Sequence, residues 1–238
     1  MGRLFTFGCS FTQYSQWPTW ADILGREFDY YENWGKMGAG NQYIFHSIVE
    51  CNERNKFTSN DTVVIMWTQY DREDRYVSDK WMIGGNIHLH KIHSKEWVKE
   101  FSCSRGYAIR DLSFISAVKD ILAVNNTNYK FLSMVSLNDI DRDIKILYNN
   151  VLQTIKPSVQ DVIFNGTWGN KKSDFAEASK EKRFFLEGNR DFHPTPEEHL
   201  EYLEKVLPEF DISGTTKDWV YSYKHNDEFN RHFPKQRF

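Results

Sequence analysis

A serine that directly follows an apolar segment is the first candidate nucleophile of this chain. The segment RLFTF, residues 3–7, predicts a short strand, and Gly8-Cys9-Ser10 ends it abruptly. Gly8 permits a sharp exit, so Ser10 is expected at the carboxyl end of the strand, the edge at which open α/β sheets bind ligands. A turn serine that caps the next helix is the alternative, and these residues alone leave both interpretations open.

The histidines of HLHKIH, which are His88, His90 and His93, suggest a metal site as a second chemistry. Alternate residues of a strand face the same side, so two imidazoles would point together. The neighbouring sequence offers neither a carboxylate pair nor a cysteine to complete a ligand set. The pattern therefore favours ordinary surface histidines on an inserted hairpin, and we predict no metal and no other cofactor.

The charged segment DREDR, residues 71–75, offers carboxylates for metal-assisted phosphoester cleavage and arginines for an anionic group. Its alternating charges are more typical of a solvated segment, in which Arg72 and Arg75 form surface ion pairs. GKMGAGN, residues 35–41, lacks the spacing and the Lys-Ser/Thr ending of a phosphate-binding loop. Phosphoryl transfer is therefore disfavoured.

Alternating helices and strands must position these residues, because helical apolar spacing and buried apolar runs follow one another along the chain. The predicted helices are residues 17–27, 44–51 with a start near Asn41, 107–124, 139–155 and 196–207, and the predicted strands after the first are 29–32, 62–67, 129–136 and a short final strand at 161–165. This alternation predicts an α/β protein, a three-layer sandwich with a doubly wound, mainly parallel sheet.

Length and composition limit the organisation of the chain. Its 238 residues suit one domain, which we place at 1–213, with an inserted segment at about 71–106 and a polar tail at 214–238. The insertion is rich in aromatic residues, and it is either a lid or groove over a site or a packing appendage. Aromatic residues make up 16% of the chain and belong either to the core or to a groove for sugars or flat ligands.

Charge and cysteine usage restrict the partners and the compartment. A formal charge of −3 and a pI near 6.2 give no electrostatic reason to predict a nucleic-acid partner. The three cysteines are odd in number and share no short spacing, which favours a reducing cytoplasm over a disulfide framework. The sequence shows neither a leader pattern nor an apolar stretch of about 18 residues, so we expect neither secretion nor membrane spanning.

Four separated blocks resemble the motifs of the SGNH (GDSL-type) hydrolases, in particular the divergent, phage-like members. FTFGCSFT resembles the Gly-Asp-Ser block, and NWGKMGAGN, with Asn33 and Gly38, resembles the block that donates a glycine N–H. VVIMWTQYDR resembles the strand end at which the family has Gly-x-Asn, and NRDFHPTPEEH resembles the closing acid and base. The blocks occur in the family's order and extend from Arg3 to about Leu207.

This resemblance implies a serine esterase with a five-stranded, flavodoxin-like sheet of strand order 2-1-3-4-5. The implied nucleophile is Ser10, the base His193 and the acid Asp191. The implied oxyanion donors are the Ser10 N–H, the Gly38 N–H and the Gln69 side chain. The implied partner is a small-molecule or glycan ester, with an O-acetyl group on a carbohydrate as one candidate, and virion association is expected if a phage encodes the chain.

Departures from the family pattern keep a second hypothesis open, a non-catalytic binding or virion-associated module that retains the fold. Asp191 precedes His193 by two residues instead of the usual three, and an extended backbone points such side chains to opposite faces. A turn at Phe192 is therefore required for the acid to reach the base. Gln69 stands where the family has asparagine, and Cys9 stands where it has aspartate.

Asn41, Arg72 and Trp67 lie near these predicted strand ends and are candidate contacts for the substrate. Asn41 follows Gly40 at a predicted helix start, so helix N-capping is its simpler role. The sequence predicts no particular oligomeric state.

Overall fold

A computed structural model of the protein describes residues 2–89, 92–166 and 193–223. Its main sheet contains β1 (Arg3–Phe7), β2 (Tyr30–Asn33), β3 (Asp61–Trp67) and β6 (Asn128–Ser133). These strands pair in parallel in the order β2-β1-β3-β6. Every residue of β3 is buried, as a central parallel strand with both faces covered requires. The prediction of an α/β protein with a mainly parallel sheet is confirmed.

The helices and remaining strands surround this sheet. They are α1 (Trp20–Gly25), α2 (Asn41–Asn55), β4 (Arg72–Val77), β5 (Lys80–Asn86), α3 (Lys95–Phe101), α4 (Ser104–Val124), α5 (Arg142–Leu147), α6 (Asn149–Leu152), α7 (Val159–Phe164), α8 (Pro196–Val206) and α9 (Gly214–Ser222), with a short 3-10 helix at Ile87–Leu89. Helices α1, α7 and α9 pack on α8, whereas α2 and α6 pack on α4. The two groups form the outer layers of the predicted sandwich.

The position of the predicted fifth strand is taken by a single parallel bridge between Phe131 of β6 and Ile155. The strand predicted at 161–165 is wrong, because the chain there belongs to α7. Ser158 Oγ accepts a hydrogen bond from Asp161 N at 3.1 Å, and the Asp161 carboxylate accepts one from Ser158 N in return. This reciprocal capping box starts a helix where the apolar pattern alone suggested a strand.

The predicted insertion contains an antiparallel hairpin of β4 and β5, which precedes the 3-10 helix and α3. Ser78 and Asp79 form its tip with φ values of 50° and 61°, as a type I′ turn requires. The first residues of the expected tail form α9, and Trp219 of this helix lies under the Arg26 guanidinium at 4.5 Å. None of the described helices has the length and apolar character needed to cross a membrane.

Many of the described aromatic side chains belong to the core. The largest fully buried side chains include Trp20, Trp34, Trp67, Tyr43 and Tyr202. Burying such large side chains removes much apolar area from water and stabilises the packing of helices against the sheet. At these positions the aromatic residues therefore serve packing and do not line a groove.

Candidate active site

Ser10 lies in the tight turn that follows β1. Thr12 N and Gln13 N both donate to the Cys9 carbonyl, at 2.9 and 3.0 Å, so the chain reverses directly after the strand. A Cβ on Gly8 would lie 2.0 Å from Thr12 Oγ1, so only glycine permits this close approach of the chain to the strand end. Ser10 is 9% exposed and stands at the carboxyl edge of the sheet.

Gly38 belongs to a second turn, which is hydrogen-bonded to the first. Lys36 N donates to the Gly8 carbonyl at 3.0 Å, and Ala39 N donates to the Lys36 carbonyl at 3.0 Å. Gly38 has a φ of 79°, the left-handed value that the third residue of a type II turn requires. The glycine turn is thereby held beside the strand end that carries Ser10.

Asn33, at the end of β2, is buried and joins the Ser10 turn to the segment that leads into the Gly38 turn. Its amide nitrogen donates to the Thr12 carbonyl at 2.8 Å. Its oxygen accepts a hydrogen bond from Gly35 N at 2.9 Å. Because both groups of this amide are occupied by backbone, Asn33 has a structural role in the site.

His193, the predicted base, packs against the segment that follows Ser10. Its ring stacks on Tyr14 with centroids 4.1 Å apart and planes 21° apart, and its centroid lies 5.3 Å from that of Phe11. Trp17 Nε1 donates to the Pro194 carbonyl at 2.8 Å, which anchors the backbone beside the histidine. The fold therefore brings a residue from near the end of the described chain to the Ser10 turn.

The described part of the chain thus gathers three of the predicted site residues at one edge of the sheet. Ser10 and Gly38 lie in turns bonded to each other, and His193 contacts the residue after Ser10. Asp191, the predicted acid, lies outside the described residues, and its role stays a prediction.

Gln69, the predicted third oxyanion donor, lines a cavity of 490 Å³ at the carboxyl ends of β3 and β6. Tyr70 and Asp71 line it beside Gln69, and the segment after β6 forms the opposite wall. The residues lining this cavity do not include Ser10, Gly38 or His193. The role of Gln69 in an oxyanion hole therefore stays a prediction.

Two candidate substrate contacts lie inside the protein, which does not support that role. Trp67 has no exposed surface and packs edge-on against Phe131, with centroids 5.8 Å apart. Asn41 is also fully buried, and its side chain exchanges two hydrogen bonds of 2.9 Å with the backbone of Thr68. Gly40, and not Asn41, is the N-cap of α2. Asn41 therefore joins the start of α2 to the end of β3.

The charged segment 71–75 is not a solvated segment at two of its positions. Arg72 is 9% exposed and Asp74 is fully buried, whereas Arg75 is exposed. Residues two apart on a strand share a face, and this face of β4 is turned toward the start of α2. Both buried side chains form hydrogen bonds with backbone there. The two-residue spacing of Arg72 and Asp74 could have indicated a shared, buried strand face, and the prediction of a solvated segment did not take it into account.

A second buried carboxylate, that of Asp111 in α4, lies at the same helix start. Asn41 Nδ2 donates to it at 2.8 Å, and Arg110 Nε donates to it at 2.7 Å. Burial raises the pKa of Asp111 to about 6, and it raises the pKa of Asp74 to about 6 as well. The nearby arginines and hydrogen bonds act in the opposite direction but do not cancel the effect of burial.

Because the pKa of these two carboxyl groups is raised in the folded protein, we expect them to lower the free energy of unfolding as the pH rises from about 4 to about 6. Their pKa is near 3.9 in an unfolded chain and about 6 in the folded protein. Between these values the folded state binds more protons, so each group contributes a decline of up to about 1.4 kcal/mol per pH unit. Urea unfolding across this range should show a smaller decline of the free energy of unfolding in Asp111→Asn than in the wild type, because the variant lacks one of the two groups. Equal declines in variant and wild type would contradict the assignment.

The histidine cluster of the insertion does not assemble a metal site in the described chain. His93 is buried and stacks on Trp97 with centroids 4.1 Å apart, whereas His88 is exposed. His90 lies outside the described residues. Among the described residues no group of three or more His, Cys, Asp or Glu side chains is arranged to hold a metal ion.

Fold and site together define an α/β protein with a serine turn, a glycine turn and a histidine at the carboxyl edge of a parallel sheet. No protein-family model matches the sequence, and no curated protein matches it. Among solved structures, the chain is similar to a member of the lipolytic protein G-D-S-L family from Veillonella parvula. The sequence identity is 10%, the likeness covers 87% of this chain and 97% of that chain, and the TM-score is 0.41.

A second solved structure, of the psychrotrophic esterase EstA from Pseudoalteromonas sp. inhibited by monoethylphosphonate, is similar at 12% identity. The likeness covers 92% of this chain and 99% of that chain, with a TM-score of 0.43. Neither likeness assigns an activity to this chain.

Proposed function

We propose that this protein is a serine hydrolase of SGNH type that cleaves an ester through an acyl-enzyme on Ser10. The observation that carries the proposal is the stacking of His193 on Tyr14, in the segment directly after Ser10. A serine hydroxyl is a weak nucleophile at neutral pH and needs an adjacent base, for which histidine is the commonest side chain. The order of the four sequence blocks supports the same assignment.

In this proposal Ser10 Oγ attacks the ester carbonyl carbon while His193 takes the hydroxyl proton. The tetrahedral intermediate collapses, the alcohol leaves with the proton returned by His193, and the acyl group remains on Ser10. A water molecule then attacks the acyl carbon, again losing a proton to His193, and the carboxylic acid is released as Ser10 regains its proton. Asp191 is proposed to orient the imidazole and to stabilise its charged form.

The negative charge of the tetrahedral intermediate requires fixed hydrogen-bond donors. The backbone N–H groups of Ser10 and Gly38 are proposed for this role, because their two turns are bonded to each other beside the strand end. Gln69 is proposed as a third donor. An O-acetyl group on a carbohydrate is the candidate substrate.

Covalent labelling with a fluorophosphonate tests the proposal without knowledge of the natural substrate. The folded protein should form one adduct, located on Ser10 by peptide mass spectrometry, because only an activated serine attacks the phosphorus at a useful rate. Protein unfolded in urea before labelling is the control and should remain unmodified. A folded protein without an adduct would instead support the alternative of a non-catalytic binding or virion-associated module.

A further inference from the structure

The peptide group between Ala39 and Gly40 is held at both of its polar ends by one strand of the inserted hairpin. Arg72 Nη1 donates to the Ala39 carbonyl at 2.7 Å. Gly40 N donates to Asp74 Oδ2 at 2.8 Å. The carbonyl and the N–H of a trans peptide point in opposite directions. Two side chains that bind both groups therefore fix the orientation of the peptide plane.

These hydrogen bonds are buried and charge-assisted. Arg72 is 9% exposed and Asp74 is fully buried. Asp74 Oδ2 also accepts from Tyr43 N at 3.1 Å, so the same carboxylate holds the first turn of α2. Hydrogen bonds to ionised groups are stronger than neutral ones, and exclusion of water strengthens them further.

Glycine is required at position 40 because the side chains of Arg72 and Asp74 lie directly against its backbone. A Cβ there would lie 2.8 Å from Arg72 Cβ and 2.8 Å from Asp74 Oδ2. The φ of Gly40 is −95°, which any residue adopts, so backbone conformation is not the reason. The two side chains of β4 thus pack directly against the peptide that they bind.

The held peptide is separated from Gly38 by only one residue. A glycine has wide φ and ψ freedom, so the direction of the Gly38 N–H depends on what restrains the chain on either side of it. On the N-terminal side the restraint is the hydrogen bond from Lys36 N to Gly8. On the C-terminal side Ala39 N donates to the Lys36 carbonyl, and the next peptide along the chain is the one held by Arg72 and Asp74.

The other strand of the hairpin covers the glycine itself. A Cβ on Gly38 would meet Ile83 Cγ2 at 3.2 Å and Gly85 N at 3.8 Å. Both strands of the hairpin therefore support the glycine turn.

We infer that Arg72 and Asp74 are positioning residues for the proposed ester hydrolysis, which hold the Ala39–Gly40 peptide and thereby aim the Gly38 N–H at the oxyanion. The inference rests on the proposed function. It gives the inserted hairpin a role as the support of the oxyanion turn, distinct from a lid or a packing appendage. In this role Arg72 binds the Ala39 carbonyl and not an anionic group of a substrate.

Substitutions of the two side chains test this inference with para-nitrophenyl acetate as the substrate. Asp74→Leu and Arg72→Met, which remove the acceptor for Gly40 N and the donor for the Ala39 carbonyl, should each lower kcat by about 10²-fold with KM changed by less than about threefold, because a misdirected donor affects mainly the transition state. Arg72→Lys keeps a donor for the Ala39 carbonyl and should retain more activity than Arg72→Met. Arg75→Gln, an exposed change on the same strand, is the matched control and should behave as wild type.

A glycine substitution gives an independent test if a charge variant does not fold. Gly40→Ala leaves both side chains in place but inserts a methyl group between them and the peptide, and it should lower kcat in the same way. Gly106→Ala is its control, because a Cβ there would make only an ordinary contact of 3.5 Å with Cys103. Circular dichroism and thermal unfolding establish which variants are folded.

The outcomes separate this inference from the proposed function. If the wild type hydrolyses the ester and folded Arg72→Met, Asp74→Leu and Gly40→Ala keep kcat within about twofold, the positioning role is overturned while the hydrolase assignment stands. Equal losses in Arg72→Lys and Arg72→Met, together with a large rise in KM, would also overturn it. If the wild type neither hydrolyses the ester nor reacts with a fluorophosphonate, the proposed function fails and this inference fails with it.

Discussion

Replacing Ser10 by alanine should abolish ester hydrolysis, with kcat reduced by roughly 10⁴-fold or more, because no acyl-enzyme can form without the hydroxyl. The side chain is small and lies in a turn at the strand end, so the loss of one oxygen should leave the packing unchanged. Turnover of para-nitrophenyl acetate by purified wild type and variant measures the effect. Thermal unfolding of both proteins establishes that the fold is retained.

Ser15→Ala is the matched control for this substitution. Ser15 lies in the same segment after β1 but is exposed, and its removal should leave kcat unchanged. Turnover retained in Ser10→Ala would rule out Ser10 as the nucleophile. Equal losses in both variants would instead indicate a general disturbance of the segment.

Replacing His193 by alanine should cause a loss of similar size, roughly 10⁴-fold or more in kcat, because the same imidazole serves both proton transfers of the cycle. Added imidazole should restore part of the activity, since removal of the ring leaves a space against Tyr14 and Phe11. A merely structural histidine would show no such rescue. Single-turnover measurements with and without imidazole provide the comparison.

His46→Ala is the control here, because His46 is exposed on α2 and has no place in the proposed chemistry. Asp191→Asn separates a triad from a dyad in the same assay. If Asp191 orients the ring, the variant should lose on the order of 10³ to 10⁴ in kcat by favouring the wrong tautomer. If a backbone carbonyl orients it, the loss should be small. Full activity in His193→Ala would remove the histidine from the mechanism altogether.

The strands of the main sheet were accessible from the sequence because their chemistry is local. A parallel strand buried on both faces needs apolar side chains at nearly every position, and DTVVIMW of β3 meets that requirement by itself. Gly8-Cys9-Ser10 likewise indicated the end of β1, since the close approach of the Thr12 side chain leaves no room for a Cβ at residue 8. The strand predicted at 161–165 failed because a capping box outweighed the short apolar run that suggested it.

The surroundings of the site could not be derived in this way. Arg72 and Asp74 alternate with other charges, and a charge is normally solvated unless a partner is supplied elsewhere. Their partners are backbone groups of the segment that begins α2, and only the docking of the hairpin beside that segment brings them within hydrogen-bond distance. Burial of a charge is a property of the assembled molecule, so the residue pattern alone does not reveal it.

The sequence by itself determined the α/β class, the serine at the end of β1 and the candidate histidine. Apolar periodicity and the order of the motifs depend only on the order of residues along the chain. The tertiary structure decided which of these residues lie together. It joined the serine turn to the glycine turn, stacked His193 on Tyr14, and turned Trp67 and Asn41 into the interior. Such contacts join residues far apart along the chain, and they arise only when helices pack on both faces of the sheet and bring the loops at its carboxyl edge together.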